Sequence, residues 1–553
     1  MRNWRILFIV ILLLASGGGL IARLAFLQIY SHGFYKALAK GQQSLPSVAV
    51  GERGDIFFTD KQGSLYTAAT VRKVPFVFVV PREVEDKESA AALLAEALAV
   101  PEESIAGRLL KEESLFEVLK RQLTAKEEEA VRELGLPGVY VRQESVRFYP
   151  YEALASRVLG FVNQDWEGQY GVEKRYDARL QGKEGLARTI RNVAGYLLQT
   201  GGDTLQDGED VRLTIDFNIQ SMAEALLERA AANHGIEEGT VIVMDPMTGA
   251  ILALANYPTF DPNSYSKVSD LNLFRNPAVQ DIFEPGSVFK PLTMASGIDS
   301  GKLTPQTTYV DTGEIRIGGY TVSNYDERVW GERSMTEVLE FSINTGAVFA
   351  EQQTGHGTFL EYAERFKMFA QTGVDLAGEV FSANRELKRG YEINFATASF
   401  GQGIEITPMQ LVRSYAVLAN GGRLVTPYVT VQEPQASQLV ISERTAAKVT
   451  AMLVSVTENG FAGAARVPGY YVAGKTGTAQ VSFAALGENR SGYSDKTIQS
   501  FIGYAPAFQP RFVALVKLNN PATRTAEYSA VPVFQELAKY ITDYYAIPPD
   551  YVK

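Results

Sequence analysis

At 553 residues the chain is too long for one hydrophobic core and implies two or three domains. Its 46% apolar and 21% charged content is ordinary for a globular protein, and 63 acidic against 53 basic residues, a net −10, argue against a nucleic-acid partner. The absence of cysteine excludes disulfides, thiolate metal sites and a cysteine nucleophile; with only His32, His234 and His356, no HExxH and no close histidine pair, no metal and no cofactor is expected.

Arg2 and Arg5 precede the uncharged run ILFIVILLLASGGGLIA, residues 6–22, and Arg23 follows it. An arginine there can snorkel, so Leu24–Leu27 extend the run to the ~20 residues a bilayer requires. Residues 6–27 are therefore expected to be a transmembrane anchor, with 1–5 in the cytoplasm and the mass after residue 30 outside. The small residues of LLLASG leave a cleaved signal peptide as the alternative, and the bulk of the chain is exported in both cases.

Further along, GERGDIFFTDKQGSLYTAA (51–69) reads as short strands broken by turn residues. Residues 85–135 carry helical periodicity and many charges, the pattern of solvated amphipathic helices. Strand-like text returns at 187–200, and the Gly/Asp-rich QTGGDTLQDGED (199–210) marks a domain boundary. Beyond it VRLTIDFNIQ is a strand entering a helix, and GTVIVMDPMTGAILALAN (239–256) is a hairpin about Asp-Pro-Met-Thr-Gly. SFIGYAPAFQPRFVALVKLNN is a second strand pair, and PVFQELAKYITDYYAI a closing amphipathic helix. Strands at both ends with helices between predict an α+β domain with a mainly antiparallel sheet.

The chemistry gathers in three short motifs. EPGSVFKP puts Ser287 and Lys290 three apart at a helix start, where positions i and i+3 share a face and a lysine can serve as base to a serine nucleophile. Pro291 is tolerable only in the first turn of that helix, and the helix N-terminus can hold a developing oxyanion. An ordinary lysine is neutral in only about one molecule in 2,500 at pH 7, and lowering its pKa by about three units costs ~4 kcal/mol, which demands burial or a second cation. AGKTGTAQ supplies that cation, Lys475, in a β-branched run that presents Lys475, Thr476 and Thr478 along a strand edge, with Gly477 allowing a substrate backbone to come close. Between them FSINTG places the Ser342 hydroxyl and the Asn344 amide two apart on a turn, fit to relay a proton and hold a peptide carbonyl. Two decoys share these patterns: Ser264–Lys267 in a Pro/Asn/Asp/Ser loop without helix signals, and Ser382–Asn384 in a polar loop. Each motif alone is weak, but SxxK, SxN and KTG in this order make a specific constellation.

These motifs, and the text around them, resemble the class B high-molecular-weight penicillin-binding proteins, serine D,D-transpeptidases of bacterial cell-wall synthesis. Upstream, RGDIF with Arg53 and Gly54, FYPYEALASRVLGFV and GQYGVEKRYDARLQGKEG resemble the family's non-catalytic pedestal. The resemblance implies a penicillin-binding/serine β-lactamase-like transpeptidase domain over 206–553, preceded by a mixed α/β pedestal over 28–205. It implies that Ser287 is acylated by the penultimate D-Ala of a stem peptide while Lys290 takes its proton. Ser342 then shuttles a proton to the leaving D-Ala, Asn344 orients Lys290 and the peptide, and Lys475 lowers the Lys290 pKa. Lys475, Thr476 and Thr478 bind the substrate carboxylate, and the N–H groups of Ser287 and Thr478 form the oxyanion hole. Stem peptides ending in D-Ala-D-Ala and β-lactams are the implied ligands. The cytoplasmic membrane, a lipid II-polymerising SEDS-type glycosyltransferase and other divisome membrane proteins are the implied partners. SFGQGIEITPMQL, VAGKTGTAQ and SFIGYAPAFQPRF resemble the septal FtsI-like type more than the elongation type.

Three rivals were weighed. A class A β-lactamase needs a Glu-x-x-Leu-Asn loop, and the two Leu-Asn pairs here, at 271 and 518, have Val268 and Leu515 in the glutamate position. A D,D-carboxypeptidase differs only in using water as acceptor. A catalytically silent division scaffold has no need of a costly neutral lysine.

Overall fold

The computed structural model describes residues 44–191, 197–200 and 206–551, together with Leu14, Gly17 and Gly18. The expected anchor, 6–27, otherwise lies outside the described residues, and no helix among those described is long and apolar enough to cross a membrane. The chain forms two units, one drawn from residues before Asp55 and from Arg179–Glu209, the other from Asp55–Ala178 and from Asp210 onward.

In the first unit Ser44–Val50, Glu184–Arg191 and Leu197–Thr200 make a three-stranded antiparallel sheet, with Ser44 opposite Ile190 and Arg188 opposite Thr200. Backbone bonds fasten its neighbouring segments: Gly54 N–H to the Leu180 carbonyl and Gly208 N–H to the Glu52 carbonyl, both at 2.8 Å.

The first part of the second unit is built on one long strand, Leu65–Val79. It pairs antiparallel with Ile56–Thr59, Glu117–Lys120 and Val139–Phe148, and Val211–Asp216 adds parallel to Ile56–Thr59. The amphipathic helices expected over 85–135 are Lys87–Leu98, Glu102–Leu109 and Ala125–Leu134. Asp86 caps the first, and Thr124 with Glu127 forms a capping box on the third. Their apolar stripes meet in a core of Leu94, Leu98, Ile105, Leu109 and Val131 against Val77 and Val79, so the charged faces stay in solvent.

The expected 239–256 hairpin forms as β1 (Glu238–Met244) and β2 (Ile251–Tyr257). β3 (Ala473–Ser482), β4 (Tyr493–Ala505) and β5 (Phe512–Asn519) complete an all-antiparallel sheet in the order β2-β1-β5-β4-β3. Helices α1 (Phe217–His234) and α6 (Ala530–Tyr544) cover one face. Between the strands in sequence, α2 (Lys290–Asp299) and α3 (Asn344–Thr354) pack together, and α2 leans on α5 (Glu443–Asn459), which with α4 (Pro408–Ala419) covers the other face. The expected α+β architecture with an antiparallel sheet is what the chain adopts. Every residue of α2 from Lys290 to Ile298 is buried, so this helix threads the core and carries its lysine with it.

Close helix contact beside the SxN motif depends on one missing side chain. A Cβ at Gly346, in the first turn of α3, would sit 2.4 Å from Val338 Cγ2 and 2.8 Å from the Tyr309 hydroxyl. Gly107, inside Glu102–Leu109, has nothing within 4 Å of such a Cβ. Gly346→Ala should therefore cost about 1–3 kcal/mol of stability by overpacking, and Gly107→Ala should add about 0.5–1 kcal/mol from helix propensity. Urea denaturation of both variants reads the opposite signs; equal signs would refute the packing argument.

Candidate active site

Ser287 lies in a 3₁₀ turn, Gly286–Phe289, that runs directly into α2 at Lys290. The sequence predicts a helix start here; the turn is tighter than an α-turn, and its three-residue repeat eclipses Ser287 and Lys290 on one side. Pro291 falls in the first turn of α2, where its missing N–H is an orphan in any case. The turn is tied to a second loop: Gly286 N–H donates to the Gly401 carbonyl at 2.9 Å, and Gly403 N–H to Glu284 Oε1 at 2.8 Å. Burial raises the Glu284 carboxyl above the usual range.

The structure brings the three motifs together. Lys290 is fully buried, and its Nζ donates to the Ser342 carbonyl at 2.5 Å and to Asn344 Oδ1 at 2.9 Å, with Ser342 Oγ at 3.3 Å. Lys475, 1% exposed, reaches the same Ser342 Oγ at 3.0 Å and the carbonyl and hydroxyl of Thr476 at 3.2 and 3.3 Å. Among the described residues neither amine has a carboxylate in ion-pair reach. Burial, and then the Lys475 charge, hold the Lys290 pKa well below that of an ordinary lysine. Burial lowers Lys475 to about 7. A neutral Lys290 amine has a lone pair, so the single Ser342 proton can point to Lys290 while its oxygen accepts from Lys475. The Ser287 hydroxyl makes no hydrogen bond among the described residues and opens on a cleft of about 590 Å³, which Ser342, Asn344, Thr476 and Thr478 also line.

Ser342 has a left-handed backbone, φ 54°, after the short helix Met335–Glu340 and two residues before α3 begins. Asn344 thus belongs to the first turn of a helix rather than to a free turn, and this corner swings Ser342 Oγ toward both lysines. β3 is the outermost strand of the sheet, as an edge presentation of Lys475, Thr476 and Thr478 requires. Thr478 Oγ1 also accepts from Ala526 N–H at 3.2 Å.

Gly477 also makes room inside the protein. Its Cβ would lie 2.7 Å from Ser500 Oγ on the neighbouring β4, 3.0 Å from Val288 Cγ1 and 3.2 Å from the Pro285 carbonyl. A side chain there would crowd both β4 and the nucleophile turn.

Neither decoy lines the cleft. Ser264–Lys267 folds as a short 3₁₀ segment, Pro262–Lys267, although the sequence shows no helix signal; Asp261 caps it and Pro262 presets its first turn. Its Asn263 is bonded to both backbone groups of Tyr149 at 2.9 Å. Ser382 and Asn384 serve to tie down Glu405.

Sequence reasoning missed the rest of the cleft. Trp330 stacks on Phe341 (4.6 Å between centroids), with Phe461 edge-on to both. On the other wall Arg524 donates to the Tyr325 hydroxyl at 3.0 Å and to Asp326 at 2.7 Å. Beneath Asn344 lies a buried set, Asp311, Asn324 and Thr345. No motif announces these residues, because they come from segments far apart in sequence and are ordinary loop residues one by one.

Comparison with known proteins agrees with this geometry. Residues 239–539 match the penicillin binding protein transpeptidase domain and residues 48–213 the penicillin-binding protein dimerisation domain. Stage V sporulation protein D of Bacillus subtilis is 33% identical over 519 residues, covering 90% of this chain and 79% of that protein. Peptidoglycan D,D-transpeptidase FtsI of Escherichia coli is 30% identical over 565 residues, covering 99% and 93%. The crystal structure of penicillin binding protein 3 from Mycobacterium tuberculosis complexed with aztreonam superposes with a TM-score of 0.69 at 26% identity, over 91% of this chain and 98% of that one. The chain belongs to the penicillin-binding protein transpeptidases, of the class B kind in which a dimerisation domain precedes the catalytic one, and it is a serine D,D-transpeptidase of peptidoglycan.

Proposed function

We propose that Ser287 is the nucleophile and Lys290 its base in the cross-linking of stem peptides. The observation that carries this reading is the convergence of two buried amines, Lys290 and Lys475, on one hydroxyl, Ser342 Oγ, at the floor of the cleft into which Ser287 opens. Ser287 Oγ attacks the penultimate D-Ala carbonyl carbon and its proton passes to Lys290. The oxyanion is held by the N–H groups of Ser287 and Thr478, and the C–N bond breaks as Ser342 passes a proton to the departing D-Ala nitrogen and regains one from Lys290. A neighbouring amine then attacks the acyl-enzyme ester, gives up its proton along the same route, and restores Ser287. Asn344 holds Lys290 and the peptide, Lys475 keeps Lys290 neutral, and Lys475, Thr476 and Thr478 receive the substrate carboxylate. Gly477 serves substrate binding through the close seating of the nucleophile turn.

The same reading assigns residues 1–5 to the cytoplasm, 6–27 to a membrane anchor, 28–205 to the pedestal and 206–553 to the transpeptidase domain, outside the cytoplasmic membrane. Similarity to FtsI of Escherichia coli supports septal wall synthesis, with a lipid II-polymerising glycosyltransferase and other divisome membrane proteins as partners.

Two experiments test the chemistry. Fluorescent penicillin should label the native chain and Ser264→Ala stably, and Ser287→Ala not at all; label retained in Ser287→Ala would remove the nucleophile, and rapid loss of label would mark a hydrolase. Acylation needs neutral Lys290, so its rate falls as pH drops through the depressed pKa of that lysine. Removing the neighbouring cation in Lys475→Gln relieves the depression in part. The acid limb of the acylation rate should move up by about one pH unit, and the rate at pH 7 should fall at least about tenfold. An unmoved limb would mean that burial alone sets the Lys290 pKa.

A further inference from the structure

Helix α3 begins at Asn344, but the residue at its cap position is Ile343, which has no side-chain acceptor for the free N–H groups of the first turn. The cap comes from another segment. Asn324 Oδ1 accepts from Asn344 N–H at 3.0 Å and from Thr345 N–H at 3.1 Å. Its Nδ2 donates to both Asp311 carboxylate oxygens and to the Arg328 carbonyl, all at 3.0 Å. The orientation of this amide is thereby forced, since two backbone N–H groups can meet only its oxygen and a carboxylate only its NH₂.

Asp311, 2% exposed, has no cation in ion-pair reach among the described residues. It is satisfied by the Asn324 amide, the N–H groups of Gly313 (3.1 Å) and Trp330 (2.8 Å), and the Thr345 hydroxyl (2.5 Å). The residue before Asn324 grips the same target: the Ser323 carbonyl accepts from Asn344 Nδ2 at 3.0 Å, which leaves Asn344 Oδ1 facing Lys290 Nζ at 2.9 Å. The end of one hairpin, whose strands are Glu314–Ile317 and Tyr320–Ser323, therefore holds Asn344 by its backbone and by its side chain. A chain of buried and partly buried bonds runs from Asp311 through Asn324 and Asn344 to the lysine.

We propose that Asn324, locked by the Asp311 carboxylate, is a positioning residue for the reaction: it holds the backbone of Asn344 at the start of α3, beside the Ser323 carbonyl that takes the Asn344 NH₂, so that the Asn344 oxygen is the atom offered to Lys290. This rests on the reading of Lys290 as the base. Asn324 lines the cleft, but neither it nor Asp311 hydrogen-bonds Ser287 or either lysine, so their effect on the base passes through Asn344.

The acylation rate with fluorescent penicillin tests the route. Asn324→Ala should slow acylation by about 10- to 100-fold, the scale of a misplaced catalytic group. In an Asn344→Ala background the same change should cost less than about twofold, because the group it positions is gone. Asp311→Asn keeps the size of the side chain but turns an NH₂ to donors that both Asp311 oxygens now accept from, and should slow acylation by at least about threefold; that loss too should shrink to less than about twofold in the Asn344→Ala background. Thermal melts accompany each variant, and the near-isosteric Asp311→Asn carries the test if Asn324→Ala fails to fold. Equal losses with and without Asn344, or native rates in folded Asn324→Ala or Asp311→Asn, would each overturn the proposal. A native chain that takes no label, or one that keeps it in Ser287→Ala, would instead overturn the reading of the nucleophile and base on which the proposal stands.

Discussion

Two lysine amines share one serine hydroxyl inside this protein, and among the described residues no carboxylate is near to neutralise them. A buried ammonium without a counter-charge is among the most costly groups a fold can hold, and the system responds by giving up a proton. That response is the useful property, because a neutral lysine is a base and an ordinary one at pH 7 is not. The wholly buried α2, which carries Lys290, and the β3 edge, which carries Lys475, are best understood as the means of keeping water away from both amines. A depression of about three pKa units corresponds to ~4 kcal/mol, so the surrounding core has to be large and well packed to tolerate it. The five-stranded sheet, covered by helices on both faces, provides that core.

The placement of the motifs follows from this constraint. An amine must be buried while the serine it serves stays open to substrate, and the two are only three residues apart. The 3₁₀ turn satisfies both demands, since it brings Ser287 to the cleft at the point where the chain dives into the core. Gly477 leaves room for that turn beside β3, and the two lysines, one from each, both reach Ser342 Oγ. An outermost strand also keeps one row of backbone groups unpaired along the cleft, a ready template for an extended peptide.

Much of this was legible in the sequence where a local pattern has a local cause. The hairpin at 239–256 is announced by Asp-Pro-Met-Thr-Gly between β-rich runs, the helices of 85–135 by their 3.6-residue period, and the lysine pair by the requirement that a neutral base have a cationic neighbour. The reading failed where the cause is distant. Pro262, at the first position of one 3₁₀ segment, and Pro285, at the cap position of another, both stand where such a turn opens, and only the tertiary setting makes the second a nucleophile turn. Gly477 was legible as a close approach but not as to what approaches. Asn324 and Asp311 stand 20 and 33 residues before Asn344, in text that reads as an ordinary hairpin, and a helix capped from elsewhere leaves no trace in its own sequence.

The same hairpin also forms part of the cleft, and the strength of its bonds grades from floor to mouth. At the floor, Asp311, Asn324 and Thr345 are each at most 5% exposed, so breaking any one bond strands a buried polar group at about 1–3 kcal/mol. At the mouth, Tyr325 and Asp326 meet Arg524 from the opposite wall, and the arginine is 72% exposed. Such a surface pair is worth about 0–1 kcal/mol, and water replaces it readily. Opening the mouth to admit a peptide is therefore cheap, while the residues that orient the base stay fixed. The backbone joins the two regimes within a few residues, since Asn324 Nδ2 holds the Arg328 carbonyl on the far side of that turn. Asn324 thus stands at the boundary between the exposed mouth and the buried set beneath Asn344.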